Sequence, residues 1–322
     1  MHRLGFYVTP GFQALNFAAL AAFELANSKQ VHYDVHVLSE TGGRVRTSMG
    51  VTIETQPLGA PEYDTVIISG AAVVSDCSTV IVPPPAALVA FLQGAMRTSR
   101  RIASLGTGAF SLADAGILDG RRATTHWCKS REFQSKYPKV NVEQDRIYIA
   151  DGHVWTSAGG SASIDLALGM VEEDLGVELA RSVAKGLVLY QRRTGGQSQH
   201  SVLLELEPKS DRMQDVLTYA KRNLHLRLSV EHLAKVAHLS PRQFARAFTK
   251  ETGRPPAKAV EDLRIEAART LMERTHHSLH DIAREAGFTG YEHMRRAFLR
   301  AFGQSPRAMR RQARRNVFQG DD

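Results

Sequence analysis

Hydrophobic and polar positions along the 322-residue chain change their period once, near residue 190. Before that point, short apolar runs alternate with amphipathic stretches. "RLGFYV" (3–8) and "VHYDVHVLS" (31–39) read as strands flanking an amphipathic helix from about Phe12 to Ala26. "DTVIISG" (64–70) is a continuous apolar run ending in glycine, the pattern of a parallel strand covered on both faces. "PPPAALVAFLQGAMRTS" (83–99) reads as a helix with prolines at its start. Ile102 to Leu105 then forms a strand that runs through Gly106-Thr107-Gly108 directly into a helical pattern. "HVWTSAGG" (153–160) is another strand and glycine turn, followed by the helix "SASIDLALGMVEEDLG". This rhythm predicts an α/β doubly wound, flavodoxin-like domain over residues 1–190. Its turns at Gly70, Gly106 and Gly159 should gather at the carboxyl edge of the sheet, the usual ligand crevice. The polar, glycine-bearing "QRRTGGQSQHSVLLELEPKSD" (191–211) reads as an interdomain linker. From 212 to 315 the strand signal is gone, and helices broken by short turns predict an all-α domain.

The helical part contains an internal repeat. "SVEHLAKVAHLSPRQFARAFTKETGRPP" (229–256) is echoed by "SLHDIAREAGFTGYEHMRRAFLRAFGQSP" (278–306). Leu233/Ile282, Ala234/Ala283 and Ala237/Ala286 lie 49 residues apart; after one inserted residue, Phe244/Met294, Arg246/Arg296, Phe248/Phe298 and Gly253/Gly303 lie 50 apart. Each copy reads as a short helix, a tight turn at His238 or Gly287, and a second helix capped by Ser240 or Thr289. The apolar pairs Phe244/Phe248 and Met294/Phe298 should face the core. Arg242, Gln243, Arg246 and Lys250, with their counterparts in the second copy, should face away from it. The pattern is two helix-turn-helix motifs with basic recognition faces. "AKAVEDLRIEAARTLMERT" between them is a connecting helix able to set the two recognition helices about one DNA turn, ~34 Å, apart.

Charge sharpens this picture. The net charge is +8, yet residues 211–315 hold 22 Lys/Arg against 11 Asp/Glu, and the rest of the chain holds 19 against 22. The whole positive excess lies in the last third, as expected of a polyanion-binding module joined to a near-neutral one. A hydrophobic content of 43% and a charged content of 23% are those of an ordinary globular protein. No apolar run approaches the ~18 residues of a membrane span, and the opening "MHRLGFYVTPGF" lacks signal-peptide architecture. Two cysteines, Cys77 and Cys128, make no disulfide framework or zinc spacing, so a reducing, cytoplasmic setting without a metal is expected. His276, His277 and His280 contain an i, i+4 pair without an acidic or cysteine partner nearby in sequence, and read as the solvated end of the connecting helix.

Residues from about 210 to 312 closely resemble the AraC/XylS-type DNA-binding domain, most specifically in the "GF…F…R.FGQSP" run (287–306). By position, that resemblance implies base reading by Arg242, Ala245 and Arg246 from the first recognition helix. From the second it implies Tyr291, Glu292, His293, Arg295 and Arg296. Met294 stands where the family usually has Phe or Leu, and Ala245 can offer only a methyl contact.

The glycine turn at 106 has the form that displays a nucleophile: a strand, a sharp turn and a helix N-terminus. Residues 1–190 resemble the PfpI-like branch of the class I glutamine amidotransferase-like superfamily, in the form fused to AraC-type regulators. "GTGAFSLADAGILDGRRATTHW" (106–127), "TSAGGSASIDLALGMVEEDLG" (156–176) and "PGFQALNFAALAAFELAN" (10–27) carry the resemblance. In that superfamily the position of Gly106 is normally a cysteine, whose thiolate the helix N-terminus would favour. A carboxylate commonly partners it, and the matching position here is Asn16. Thr107 adjoins the elbow, but its hydroxyl needs a base, and the nearest candidate, His126, has no evident orienting acid. His126-Trp127 reads either as a pocket wall or as core packing under the sheet edge; "VEEDLG" (171–176) reads as a helix C-terminal surface. The elbow keeps first-turn N–H donors, close backbone approach and an empty volume where a side chain would be.

The expectation is therefore a transcriptional regulator, more an activator than a repressor, with no catalytic residue, metal or cofactor. A pocket formed by Asn16, Gly70, Ala71, Gly106, Thr107, His126 and Gly159 should sense a small-molecule effector. The expected partners are double-stranded promoter DNA, RNA polymerase and a second copy of the chain, with no membrane. Two alternatives remain at this point: a hydrolase or hydratase tethered to a DNA module, and a front domain that serves only for dimerisation.

Overall fold

The computed structural model describes residues 1–60, 62–71, 80–189, 193, 195, 199, 206 and 208–311. The chain divides into two compact units, Met1–Gln199 and His200–Asp322. The division falls inside the polar 191–211 segment, most of which lies outside the described residues, as do Cys77 and residues 312–315.

The first unit is built on an eight-stranded sheet in the order β3-β4-β2-β1-β5-β6-β10-β9. Here β1 is His2–Tyr7, β2 Tyr33–Ser39, β3 Thr41–Arg46, β4 Thr52–Pro57, β5 Thr65–Ile68 and β6 Arg101–Leu105. β9 is Tyr148–Asp151 and β10 Val154–Ser157; β7 (Arg122–Ala123) and β8 (Asn141–Val142) form a small parallel pair of their own. The central strands β2, β1, β5, β6 and β10 run parallel, and β3 and β9 close the two edges antiparallel. Alternation along the strands explains why both faces are covered. Leu4, Phe6, Ile67, Ala103, Leu105 and Trp155 pack on one side against α1 (Ala18–Ala26), α5 (Ala162–Leu175) and α6 (Val177–Gly186). Tyr7, Val66, Ile68, Ile102 and Val154 pack on the other against α2 (Ala86–Thr98), α3 (Gly108–Asp114) and α4 (Ser130–Lys136).

Three local readings of the sequence are revised. The amphipathic stretch from Phe12 is not one helix: Ala14–Phe17 is a 3-10 turn, and α1 begins at Ala18. Phe12 bridges to Ala71, and the Gln13 N–H donates to Gly70 O at 3.3 Å, so the chain is pinned to the end of β5 before it can wind. The polar, glycine-containing β3–β4 hairpin carried no strand-like apolar run and was not expected. "VEEDLG" is no mere surface. The Asp174 side chain is fully buried and is paired with Arg100 and Arg101, and Tyr33 Oη donates to it at 3.0 Å. Arg101, 2% exposed, also pairs with Glu173 and lies 4.9 Å from the Trp155 ring. The charges that read as a solvated helix end are a tie between α5 and the starts of β2 and β6.

The second unit is helical: α7 (Asp211–Arg222), α8 (Val230–Val236), α9 (Pro241–Thr252), α10 (Pro256–Arg274), α11 (Leu279–Glu285) and α12 (Tyr291–Phe302). Both halves of the repeat are realised. Leu233, Ala234, Ala237, Phe244 and Phe248 lie in one core, and Ile282, Ala283, Ala286, Met294 and Phe298 lie in another. The turns between helices bend through His238 (φ +51°) and Gly287 (φ +83°), and α9 and α12 both end at a left-handed glycine, Gly253 or Gly303.

Candidate functional site

The carboxyl ends of β1, β5, β6 and β10 converge on the elbow. Gly106 takes φ +54° and is held on both sides. Its N–H donates to Ser157 O at 2.9 Å, and its carbonyl accepts from Thr125 Oγ1 at 2.9 Å. The sharp turn needs a residue tolerant of positive φ, and close backbone approach needs the neighbouring glycines. A Cβ on Gly70 would stand 2.5 Å from Leu105 O, and one on Gly159 would stand 2.8 Å from Gly106 Cα. A Cβ on Gly106 would lie 3.3 Å from Gly159 Cα. At that position there is contact with the β10 turn, not the void that a missing side chain suggests.

Asn16, Gly70, Ala71, Gly106, Thr107 and Gly159 are brought together at this edge. Asn16 is buried and donates from Nδ2 to Gly70 O at 2.9 Å; Thr107 Oγ1 lies 3.5 Å from Ala71 O. The first-turn N–H groups of α3 have no carbonyl within the helix to meet, and those of Ala109 and Phe110 are met by the turn itself, donating to Gly106 O at 3.3 Å and Thr107 O at 3.0 Å. His126 follows Thr125, so it is fixed beside the elbow; it is half-buried, while Trp127 is 46% exposed and is not core packing. Neither Asn16 nor Gly106 offers an ionisable group, so neither of these two residues can form a thiolate or orient one.

Two fastenings escaped sequence reasoning because they come from the polar segment read as linker. Arg193 forks onto buried Asp165 at 2.9 and 2.6 Å and reaches Ser161 Oγ at 2.8 Å. Gln199 Nε2 donates to Thr125 O at 2.9 Å and to Thr124 Oγ1 at 3.1 Å. Thr125 thus carries the Gly106 carbonyl on its hydroxyl and Gln199 on its own carbonyl. Composition alone could not tell a tether from a strap.

In the second unit, α9 presents Arg242, Arg246 and Lys250, four residues apart on one exposed stripe, with no ion-pair partner among the described residues. Ala245 is half-buried beside them. Gln243 is partly committed: it closes a capping box with Ser240, its Oε1 accepting from the Ser240 N–H at 3.2 Å and hydroxyl at 2.7 Å. The second helix differs from expectation. Its cap is Gly290, not Thr289, whose hydroxyl instead meets His293 Nδ1 at 3.1 Å. Arg296 is exposed without an ion-pair partner among the described residues, whereas Arg295 is held by Glu292 at 2.8 Å. Tyr291 is half-buried with its ring 5.3 Å from His280, and His293 packs edge-on to Phe288 at 5.3 Å. His276 and His277 precede α11, and His280 lies on it, so the histidines do not share a face of one helix; His277 pairs with Glu285 at 2.9 Å.

Residues 2–173 match the DJ-1/PfpI family, and residues 233–312 match a helix-turn-helix domain. The HTH-type transcriptional regulator CdhR of Pseudomonas aeruginosa is 31% identical over 306 residues, covering 94% of this chain and 89% of that protein. The chain belongs to the AraC-type transcriptional regulators that carry a DJ-1/PfpI domain. The HTH-type transcriptional regulator GbdR of the same species is 29% identical over 311 residues, 94% of this chain and 83% of that one. The fold of the DJ-1/PfpI domain is shared with a solved AraC family transcriptional regulator from Pseudomonas putida. That structure aligns with a TM-score of 0.52 at 22% identity, over 58% of this chain and all of that one. Within this AraC-type regulator, the basic stripe of α9 and the exposed Arg296 of α12 thus belong to a DNA-binding domain. Among the described residues no helix is long and apolar enough to cross a membrane.

Proposed function

We propose that the DJ-1/PfpI domain binds a small polar effector at the elbow edge without transforming it. Binding there governs how the helix-turn-helix domain engages promoter DNA. The observation that carries this reading is the elbow itself. Its φ of +54° and its hydrogen bonds are kept, while the turn residue is glycine and Asn16 spends its amide on Gly70 O. Nucleophilic catalysis needs an activated side chain at that turn; recognition needs only donors, acceptors and shape. The side chains of Asn16, Thr107 and His126 and the backbone of Ala71 supply the polar contacts in this reading, and the effector's leverage is its differential affinity for two states of the protein.

The Gly106–Thr125–Gln199 chain of hydrogen bonds supports the coupling, because it links the elbow to the residue at which the first unit ends. Arg242, Arg246, Lys250 and Arg296 are the proposed base and phosphate contacts, with Arg295 and Glu292 reading as a pair. Activation through RNA polymerase by a homodimer completes the proposal. A thermal-shift screen of the full-length protein against a metabolite library, followed by promoter titration with each compound that stabilises it, tests the reading. A compound that raises Tm, changes DNA affinity and is recovered unchanged supports it. A stabilising compound that is consumed, or a set of stabilising compounds that all leave DNA affinity unaltered, overturns it.

A further inference from the structure

Helix α10 runs through both cores of the DNA-binding domain. Ala259, Val260 and Leu263 from its first half pack with Phe244 and Phe248, whereas Ile265 and Ala268 from its second half pack with Met294 and Phe298. Half-buried Ala267 touches both cores. A helix shared by two separate cores transmits any bend or twist of its own to the angle between the two recognition helices. Something else must fix that angle if both are to enter one duplex in register.

Arg264 projects from the middle of α10. Its Nε and Nη2 donate to Leu224 O at 3.3 and 3.2 Å, and Nη2 also donates to Leu226 O at 2.8 Å. These carbonyls lie just beyond the end of α7, in the loop that leads into the first helix-turn-helix. The turn of the second motif closes on the same point. A Cβ on Gly287 would stand 1.7 Å from Leu224 O and 2.9 Å from Arg264 Nε. One carbonyl oxygen is thus where the loop of the first half, the connecting helix and the turn of the second half meet. Both acceptors are neutral carbonyls, so the guanidinium contributes direction through its fixed fork. Arg300 of α12 also reaches Glu261 of α10 at 2.6 Å, but this pair joins two partly solvated side chains and constrains little.

We propose that Arg264 is a positioning residue: by clasping the 224–226 loop against the Gly287 turn, it fixes the second recognition helix relative to the first and sets the half-site spacing the protein accepts. It touches no base and no phosphate in this role. Moving one half-site by a base pair displaces it by about 3.4 Å and rotates it by roughly 35° about the duplex axis. A clasped pair of motifs cannot follow that movement and loses one set of contacts. An unclasped pair can follow, at some loss of preorganisation on the ideal site.

The test uses full-length protein and a duplex selected by it from a randomised pool, with the two half-sites assigned by footprinting. Binding is measured on that duplex and on versions with one base pair inserted or deleted between the half-sites. Wild type should lose about tenfold or more on the altered duplexes. Arg264→Met should bind the original duplex more weakly and lose no more than about threefold further on the altered ones. Arg264→Lys, which keeps the charge but cannot bridge both carbonyls, should fall between, and it carries the comparison if Arg264→Met fails to fold. Uniform weakening on all three duplexes, with spacing discrimination as strong as in wild type, overturns the proposal. The inference rests on both α9 and α12 entering the duplex. If Arg246→Ala and Arg296→Ala each leave affinity unchanged, that reading has failed, and the failure is distinguishable from failure of the clasp.

Discussion

Gly106 and Gly159 meet backbone to backbone at the carboxyl edge of the sheet, so closely that a Cβ on Gly159 would stand 2.8 Å from Gly106 Cα. The relationship makes Gly106→Cys informative. A cysteine there must accept φ +54° and a 3.3 Å contact with Gly159, at a cost of roughly 1–2 kcal/mol for the left-handed backbone. If the turn is a true elbow, the new thiol stands at the N-terminus of α3, whose dipole favours the thiolate, and titrates below the ordinary value of ~8.5. The rate of iodoacetamide labelling against pH reports it. Turnover is not expected, because Asn16 supplies no carboxylate. A thiol that titrates at the ordinary value contradicts the elbow geometry.

Asp174 is the second place where one residue holds several elements. Burial works against its ionisation, but hydrogen bonds from Arg100 and Arg101, and then their charges, outweigh it and hold the carboxyl well below the usual carboxylate range. A depressed folded-state pKa contributes stability that is complete above the unfolded value of ~3.9 and is lost as pH falls from there through the lower folded-state value. Asp174→Asn should cost roughly 3–5 kcal/mol at neutral pH, since it leaves the 2%-exposed Arg101 short of its main partner. The gap between wild type and variant should narrow as the pH is lowered below about 4. Urea denaturation at several pH values measures both, and a gap that stays constant down to low pH contradicts the assignment.

The two recognition helices separate what the sequence could tell from what it could not. Their cores, turns and terminal glycines were legible, because a repeat of apolar positions at helical spacing leaves few ways to pack. The caps were not equally legible: Ser240 and Thr289 occupy matching places in the repeat, yet the one-residue insertion moves the start of α12 to Gly290. Ser240→Ala should therefore cost about 1 kcal/mol, whereas Thr289→Ala should stay within about 0.5 kcal/mol. Thermal unfolding of the two variants checks this, and equal losses contradict it.

At the elbow, the strand-turn-helix pattern and the gathering of the turns at Gly70, Gly106 and Gly159 were legible, because parallel strands of one sheet end on one edge. Hidden from the sequence were the contacts made by polar side chains across long separations. Arg193 with Asp165, Gln199 with Thr125, and Arg264 with Leu224 have no periodicity to give them away. Asp174 was misread for a related reason. A charged run at a helix end looks solvated until the strand that supplies Arg101 is known to pass beneath it.

The central claim is that two basic recognition faces, on α9 and α12, read one duplex. It is tested most directly by measuring affinity and sequence preference of the full-length protein, Arg246→Ala and Arg296→Ala for the same selected duplex over a series of salt concentrations. Each substitution should weaken binding by roughly 1–3 kcal/mol, and each should relax preference at a different half-site, the two lying about one helical turn apart. Affinity of the wild type should fall steeply and linearly in log salt. Variants that both bind with wild-type affinity and preference, or that relax the same half-site, would contradict the account.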